Sequence, residues 1–213
     1  MPSHVSKRLS PALRCGLMVI AIWMGAAATA AKAGSLSFST VVLDAGHGGA
    51  DGGSVWSGLI EKKLCLDVAL RVERILKTRG LRVVMTRRTD STVELADRAK
   101  IANRWRSAVF VSIHFNANRN RAISGLETFY RSSRGKLLAS AVQRAMDRDL
   151  TGINRGVTRS DFKVLRETLM PAILVEAGFI SNRAEAARCG SATHRQKIAQ
   201  AIASGILAAR THP

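Results

Sequence analysis

The sequence predicts a single α/β domain with a mostly parallel, twisted sheet of about five or six strands and helices on both faces. Short aliphatic runs, typical of strands buried on both faces, alternate along the chain with longer amphipathic segments of helical period. This alternation is typical of parallel strands joined by crossover helices. A chain of 213 residues, 46% of them hydrophobic, can form one domain with a substantial core.

Residues 1–33 are predicted to be a secretory signal peptide outside this domain. Basic residues precede the apolar run 17–24, and residues 31–33 read Ala-Lys-Ala, which is similar to a signal cleavage site. The alternative is an uncleaved membrane anchor, but the apolar stretch is shorter than the roughly 20 residues that a spanning helix needs. We therefore expect a mature domain at 34–213, exported to the periplasm or secreted to the cell wall, with no membrane span after cleavage.

The chain is strongly basic, with a formal net charge of +18 that becomes +14 when the four basic residues of 1–33 are removed. A positive field of this size suits an anionic wall polymer or membrane surface, and a soluble basic surface without a specific partner is the alternative. Aromatic residues make up only 5%, so the stacking platforms of a nucleic-acid binder are missing. We expect a monomer that binds no nucleic acid.

Two cysteines, Cys65 and Cys189, remain after the predicted signal peptide. Two thiols do not make a disulfide scaffold, and the spacing leaves their pairing open. The sequence contains no CxxC motif, which argues against a zinc site built from thiolates.

The first predicted strand, Val41–Leu43, is followed by a glycine-rich loop that contains His47. A helix is then predicted from Leu59 to Arg79, ending before a glycine. The apolar stripe of this helix extends backwards to Glu61, which places a carboxylate in a core-facing position of the first turn. That acid either favours the helix N-terminus through the macrodipole or serves as a ligand, and the cost of burying an unpaired carboxylate favours the ligand.

A histidine recurs after another predicted strand. The second strand is predicted at Leu81–Thr86, and a helix with Leu95 facing inward is predicted from Val93 to Arg106. A third strand at Ala108–Ile113 is followed directly by His114. The two histidines therefore occupy equivalent positions at the carboxyl ends of strands.

The last apolar run places a second glutamate at the carboxyl end of a predicted strand, as for the two histidines. The remaining predicted elements are a strand at Gly125–Tyr130, a helix at Gly135–Leu150, a polar loop at 154–157, a short strand at Phe162–Leu165, a strand at Met170–Val175, a helix cap at Asn182 and a final helix at Thr193–Arg210. Glu176 follows the strand Met170–Val175. In parallel sheets ligands bind outside the carboxyl ends of the strands, so Glu176 is expected beside the histidines.

These residues suggest a metal-dependent hydrolase. Two imidazoles and one carboxylate form the ligand set of many hydrolytic zinc sites, with a fourth position left for water. The set here is His47, Glu61 and His114, with Glu176 as the carboxylate that transfers protons between water and the leaving nitrogen. Spacing alone leaves open the reverse assignment, in which Glu176 is the ligand and Glu61 the base.

A series of short motifs strengthens this interpretation. The chain contains, in order, LDAGHGG at 43–49, IEK at 60–62, MTR at 85–87, SIHFNA at 112–117, NRGV at 154–157, VLR at 164–166 and MPAILVEAGFISN at 170–182. The series resembles that of the zinc-dependent N-acetylmuramoyl-L-alanine amidases. No single motif is specific to this family, but the whole series in this order across most of the chain is very specific.

The resemblance implies hydrolysis of the amide between N-acetylmuramic acid and the L-alanine of peptidoglycan, with peptidoglycan or muropeptides as substrate. It further implies that His47, Glu61 and His114 bind one zinc ion and that Glu176 is catalytic. The alternative is a catalytically inactive peptidoglycan-binding module with the same fold. Such a module would be free to lose members of the His/Glu set, all of which are present here.

Overall fold

The computed structural model describes Met1 and residues 35–211, so the predicted signal peptide lies outside the described residues. The strands are β1 Thr40–Ala45, β2 Val55–Trp56, β3 Leu59–Ile60, β4 Arg82–Met85, β5 Ala108–Asn116, β6 Leu126–Tyr130, β7 Asn154–Arg159 and β8 Ala172–Phe179. The helices are α1 Glu61–Thr78, α2 Leu95–Asn103, α3 Ser133–Asp149, α4 Lys163–Glu167, α5 Arg183–Gly190 and α6 Ala192–Ala209.

Six of the strands form one sheet in the order β4-β1-β5-β8-β6-β7. Strands β4, β1, β5 and β8 are mutually parallel, while β6 pairs antiparallel with β8 and parallel with β7. The short strands β2 and β3 form a separate antiparallel hairpin. The predicted α/β class and mostly parallel sheet are confirmed.

Helices cover both faces of the sheet, as the long aliphatic strands require. In β1, Val41 and Leu43 pack into the larger core, which includes apolar residues of α1, α3 and α6. Val42, between them, packs on the opposite face with Phe110 and with residues of α2 and α4. Because successive side chains of a strand point to opposite faces, a strand apolar at every position needs cover on both.

Helices α3 and α6 approach each other closely. A Cβ at Gly205 of α6 would overlap the Cα of Val142 in α3 and would lie 2.9 Å from the Ala141 carbonyl oxygen. The absence of a side chain at Gly205 therefore lets the two helix backbones pack almost in contact.

Two predicted elements are wrong. Residues 154–157 were expected as a loop but belong to β7, and Phe162–Leu165 was expected as a strand but overlaps helix α4. Strand β7 is an edge strand whose side chains are mostly exposed, so it lacks the aliphatic run that marks an internal strand. Helix α4 has only five residues, too few to show a helical period.

Smaller differences concern residues near the strand ends. Leu95 was expected inward but is 51% exposed, because it begins α2 at the rim of a cavity. His114 and Glu176 lie inside β5 and β8, which extend beyond their aliphatic runs because the two strands remain paired as far as Asn116 and Phe179.

Asn182 caps α5 as expected, accepting hydrogen bonds from the backbone N–H groups of the next turn.

Cys65 and Cys189 are both free and buried. Among the described residues, no helix has the length and the hydropathy needed to span a bilayer.

Candidate active site

His47 lies in the loop that leaves β1, in a conformation that few non-glycine residues adopt. Its φ is 58°, in the left-handed region. The backbone around it is held by two arginines: Arg87 donates to the carbonyls of Ala45 and Gly46, and Arg98 donates to those of Ala45 and His47. Every carbonyl from 45 to 47 is thus fixed by a guanidinium group, which restricts where the imidazole can lie.

A buried carboxylate holds Arg98 in turn. Asp44 is 1% exposed and accepts hydrogen bonds from Arg98 Nη1, Thr86 Oγ1 and Ser112 Oγ, each at 2.7 Å. Because the charge is paired and all three partners donate, this polar cluster is fully satisfied inside the sheet. The backbone of the His47 loop is therefore held in place by a buried cluster of hydrogen-bonded side chains.

Glu61, the first residue of α1, joins the two histidines. Its Oε1 lies 2.9 Å from His47 Nε2 and 2.9 Å from His114 Nδ1, and its Oε2 accepts a hydrogen bond from the Ser54 N–H at 2.9 Å. Glu61 is 4% exposed although it begins the helix, which confirms that it faces inward. One ligand atom from each of His47, Glu61 and His114 lies within 4.8 Å of the others, so the three could hold a metal ion.

Asp51 contacts the other side of the first imidazole. Its Oδ2 lies 2.7 Å from His47 Nδ1, and its Oδ1 accepts from the Gly53 N–H at 2.9 Å. A carboxylate at Nδ1 favours the tautomer with the proton on that nitrogen, which would leave the Nε2 lone pair free for a metal ion. Asp51 therefore holds the imidazole of His47 in a defined orientation.

Two glycines leave room for this cluster. A Cβ at Gly46 would overlap the ring of His114. A Cβ at Gly53 would lie 2.7 Å from Glu61 Oε2 and 2.7 Å from His47 Cδ2. Side chains at these positions would displace the imidazoles or the carboxylate.

Glu176 lies beside His114 because the strands that carry them are adjacent. In the parallel pairing of β5 and β8, His114 is the register partner of Glu176, and across the antiparallel pair Glu127 of β6 faces the same glutamate. Glu176 is half-buried, yet its Oε2 is fully buried and has no hydrogen-bond partner among residues 35–211. An unpaired buried carboxylate oxygen is costly and marks a position where a ligand or a substrate could bind.

The two glutamates have opposite electrostatic environments. Burial would raise the pKa of Glu61, but the hydrogen bonds from His114 and His47 outweigh it and hold that pKa well below its usual range. Burial raises the pKa of Glu176 well above its usual range, and the negative charges of Glu61 and Glu127 raise it further. Burial would lower the pKa of His47, but Glu61 and Asp51 raise it overall. One acid thus stays ionised while the other tends to hold a proton.

All four predicted site residues line one cavity of about 450 Å³. Phe162 and Lys163, at the start of α4, also line it, as do residues 92–95. The cavity opens at the carboxyl ends of the parallel strands, where such sheets bind ligands. Two imidazoles, an ionised carboxylate and a second carboxyl group of raised pKa can together support metal-assisted hydrolysis.

The sequence predicted the residues that meet in the cavity but not those that support them. Asp51 lies in the glycine-rich loop and was given no role, although its position four residues after His47 could have indicated a contact between the two side chains. The roles of Arg87 and Arg98 lay in tertiary hydrogen bonds to carbonyl oxygens, which leave no mark in a sequence pattern.

Comparison with known proteins identifies the relatives of the chain. A family model described as N-acetylmuramoyl-L-alanine amidase matches residues 41–208. The uncharacterized protein YqiI of Bacillus subtilis is 39% identical over 196 residues, which are 90% of this chain and 92% of that protein. N-acetylmuramoyl-L-alanine amidase LytC of the same organism is 36% identical over 170 residues, 78% of this chain but only 34% of LytC, so the chain spans about a third of that relative.

A solved structure resembles the fold closely. N-acetylmuramoyl-L-alanine amidase AmiC2 of Nostoc punctiforme superimposes with a TM-score of 0.77 and 41% sequence identity, covering 79% of this chain and 95% of that one.

Proposed function

The chain belongs to the N-acetylmuramoyl-L-alanine amidase family and is an enzyme of that class, and from this premise we propose that it is a zinc-dependent hydrolase of the amide between N-acetylmuramic acid and L-alanine in peptidoglycan. The observation that carries the proposal is the meeting of His47, Glu61 and His114 in one cavity with Glu176, whose Oε2 is buried and unpaired. The substrate is peptidoglycan or its muropeptides.

The donor set fits zinc. Two imidazole nitrogens and a carboxylate oxygen are ligands that zinc prefers, and three protein ligands leave a position for water or substrate. His47, Glu61 and His114 would hold the ion, with Asp51 orienting the first of them. When bound, zinc polarises a carbonyl oxygen and acidifies water, which favours attack on an amide.

Glu176 is the proposed proton carrier. In hydrolysis, the water oxygen bonds to the amide carbon, the carbon–nitrogen bond breaks, and one proton from water moves to the leaving nitrogen. A carboxyl group of raised pKa beside the ligand cluster suits this transfer, because its ionised form accepts the proton from water readily and the protonated form then releases it to the amine of L-alanine. Glu61, whose pKa is held low, remains ionised as a ligand.

Export completes the proposal. Peptidoglycan lies outside the cytoplasm, and residues 1–33 have the sequence pattern of a signal peptide. We propose that the catalytic domain at 34–213 acts as a monomer in the periplasm or after secretion to the cell wall.

Two variants separate metal binding from chemistry. Glu176→Gln should keep bound zinc but lower the rate of wall digestion at least about a hundredfold, since general acid–base catalysis contributes about 10²–10⁴. His114→Ala should lose both zinc and activity. Zinc content is measured by elemental analysis and turnover by mass spectrometry of released stem peptides, with and without a chelator.

Matched controls are Glu167→Gln and His194→Ala, which make the same changes outside the cavity lining. Both should retain zinc and turnover. Wild-type turnover in Glu176→Gln, or full zinc in His114→Ala, would refute the assigned roles. Digestion that persists in a chelator after zinc has been removed would refute metal dependence.

A further inference from the structure

A second large concavity lies at the other end of the parallel strands from the active-site cavity. This basal groove has a volume of about 820 Å³ and is lined by Ser37, Asn103, Arg104, Trp105, Arg106, Ser107, Ala108, Arg134, Leu169, Met170 and Pro171. Ala108 begins β5, and Pro171 directly precedes β8. The groove is therefore at the amino ends of the parallel strands, whereas the active site is near their carboxyl ends.

The basal groove carries positive charge that no acid among the described residues neutralises. Arg104, Arg106 and Arg134 are exposed, and within the described part of the chain none of their guanidinium groups forms a hydrogen bond or an ion pair. No aspartate or glutamate lines the groove. Three unpaired guanidinium groups around one concavity form a site for anions, because each presents a planar fork that matches phosphate or carboxylate oxygens.

The active-site cavity has the opposite composition. Its lining contains five acidic residues but only two lysines or arginines, namely Asp44, Asp51, Glu61, Glu94 and Glu176 against Arg98 and Lys163. The positive charge of the chain is therefore not concentrated where the substrate is cleaved. An anion attracted by the basal groove binds a surface separate from the catalytic one.

Apolar side chains accompany these arginines. Leu169 is 86% exposed on the groove, and Met170 beside it is half-buried. The indole of Trp105 is also half-buried and lies under the guanidinium of Arg82, 5.5 Å from its ring centroid. A large exposed leucine among cations gains free energy when it enters an apolar phase, which a hydrated polymer does not offer.

We propose that the basal groove docks the enzyme on a bilayer surface rich in anionic phospholipids. The arginines bind headgroup phosphates, and Leu169 inserts at the boundary between headgroups and acyl chains. Strand β5 has nine residues at about 3.3 Å each, so its amino end at the basal groove and its carboxyl end at the active site are roughly 30 Å apart. Docked in this way, the enzyme directs its active site away from the bilayer. The inference rests on the proposed function only in requiring that the enzyme meets a membrane surface outside the cytoplasm.

The experiment is co-sedimentation of residues 34–213 with vesicles of phosphatidylglycerol and phosphatidylcholine, compared with phosphatidylcholine alone. The triple variant Arg104→Gln, Arg106→Gln, Arg134→Gln should bind the anionic vesicles roughly a hundredfold more weakly, since each basic side chain near such a surface contributes about fivefold. Leu169→Ser should weaken binding several-fold. Cleavage of soluble muropeptides should be unchanged in both variants.

The matched control removes three charges elsewhere, with Arg74→Gln, Arg144→Gln and Lys197→Gln on α1, α3 and α6. These side chains are exposed, and within residues 35–211 they form no ion pair. The control should bind within about threefold of wild type. Equal losses in the two triple variants would overturn the proposal in favour of a diffuse charge effect.

Other outcomes also decide against docking. Equal binding to both vesicle types, or binding to a soluble anionic wall polymer with none to vesicles, would overturn the lipid assignment. The vesicle assay needs no turnover, so an enzyme that binds vesicles but releases no stem peptides would contradict the proposed function and leave the docking surface supported.

Discussion

The imidazole of His47 lies between two carboxylates, with Nε2 facing Glu61 and Nδ1 facing Asp51 at 2.7 Å. Glu61 belongs to the cluster that could hold a metal ion. Asp51 lies outside that cluster and supports it by orienting the imidazole of His47. Because 61% of the Asp51 side chain is exposed, its bond to His47 contributes little to folding. Its main effect should be on how well the ligand is preoriented.

Replacing Asp51 should therefore weaken zinc binding more than it weakens the fold. We expect Asp51→Ala to lower zinc affinity by about 10–100-fold, the usual effect of losing a carboxylate that holds a ligating histidine. Asp51→Asn keeps an acceptor for the Nδ1 proton and should fall between wild type and alanine. Affinity is measured by competition with a chromogenic chelator, and stability by urea unfolding.

Asp97→Asn is the control, since it removes an exposed carboxylate whose only ion-pair partner among residues 35–211 is Lys100 on the same helix. Zinc affinity should not change in this variant. An Asp51→Ala enzyme with wild-type zinc affinity would show that the contact does not position His47.

Among the elements, the pair α3 and α6 shows how a single residue limits packing. At Gly205, two effects of a methyl group oppose each other. Alanine in place of glycine favours a helix by about 1 kcal/mol, whereas overpacking costs about 1–3 kcal/mol. Here the added atom meets backbone, which moves less readily than a side chain, so the overpacking cost should be near the top of its range.

Gly205→Ala should thus lower the free energy of unfolding despite the gain in helix propensity. Urea unfolding followed by circular dichroism measures the change. Ser204→Ala, on the neighbouring half-buried position, should remain within about 0.5 kcal/mol of wild type. A more stable Gly205→Ala variant would mean that the two helices can separate without cost.

The elements also show where prediction from sequence succeeds. Strands β1, β5 and β8 and helix α1 were predicted because burial on both faces, or on one stripe, imposes an apolar pattern. Strand β7 and helix α4 lack that pattern, one because it lies at a sheet edge and the other because it is short. Side-chain networks such as Asp44 with Arg98 depend on three-dimensional proximity that no local pattern reports.

For the whole molecule, ion pairs of buried and partly buried carboxylates should make stability sensitive to acid. Burial would raise the pKa of Asp67 and of Glu73, but hydrogen bonds from Arg71 and Arg195 to the first, and from Lys77 and Arg88 to the second, lower both below their ordinary values of 3.8 and 4.5. A lowered folded pKa contributes stability that is fully present above the ordinary value and is lost as the pH falls through the folded value.

We therefore expect the free energy of unfolding to decline as the pH falls below about 4, while the growing positive charge adds repulsion. Urea unfolding at several pH values between 7 and 2 measures this. Asp67→Asn should be less stable than wild type at neutral pH, and the difference should shrink toward pH 2. A constant difference across this range would show that Asp67 acts through packing and not through its charge.

The register between β5 and β8 has a consequence for how such enzymes diversify. His114 and Glu176 are neighbours across two hydrogen-bonded strands, so their spacing is fixed by the repeat of the sheet, about 4.8 Å. Insertions in the loops around the cavity can then alter which substrates enter without altering the distance between His114, the proposed ligand, and Glu176, the proposed proton carrier. Selectivity and reactivity can evolve independently, because loops govern the first and the sheet lattice governs the second.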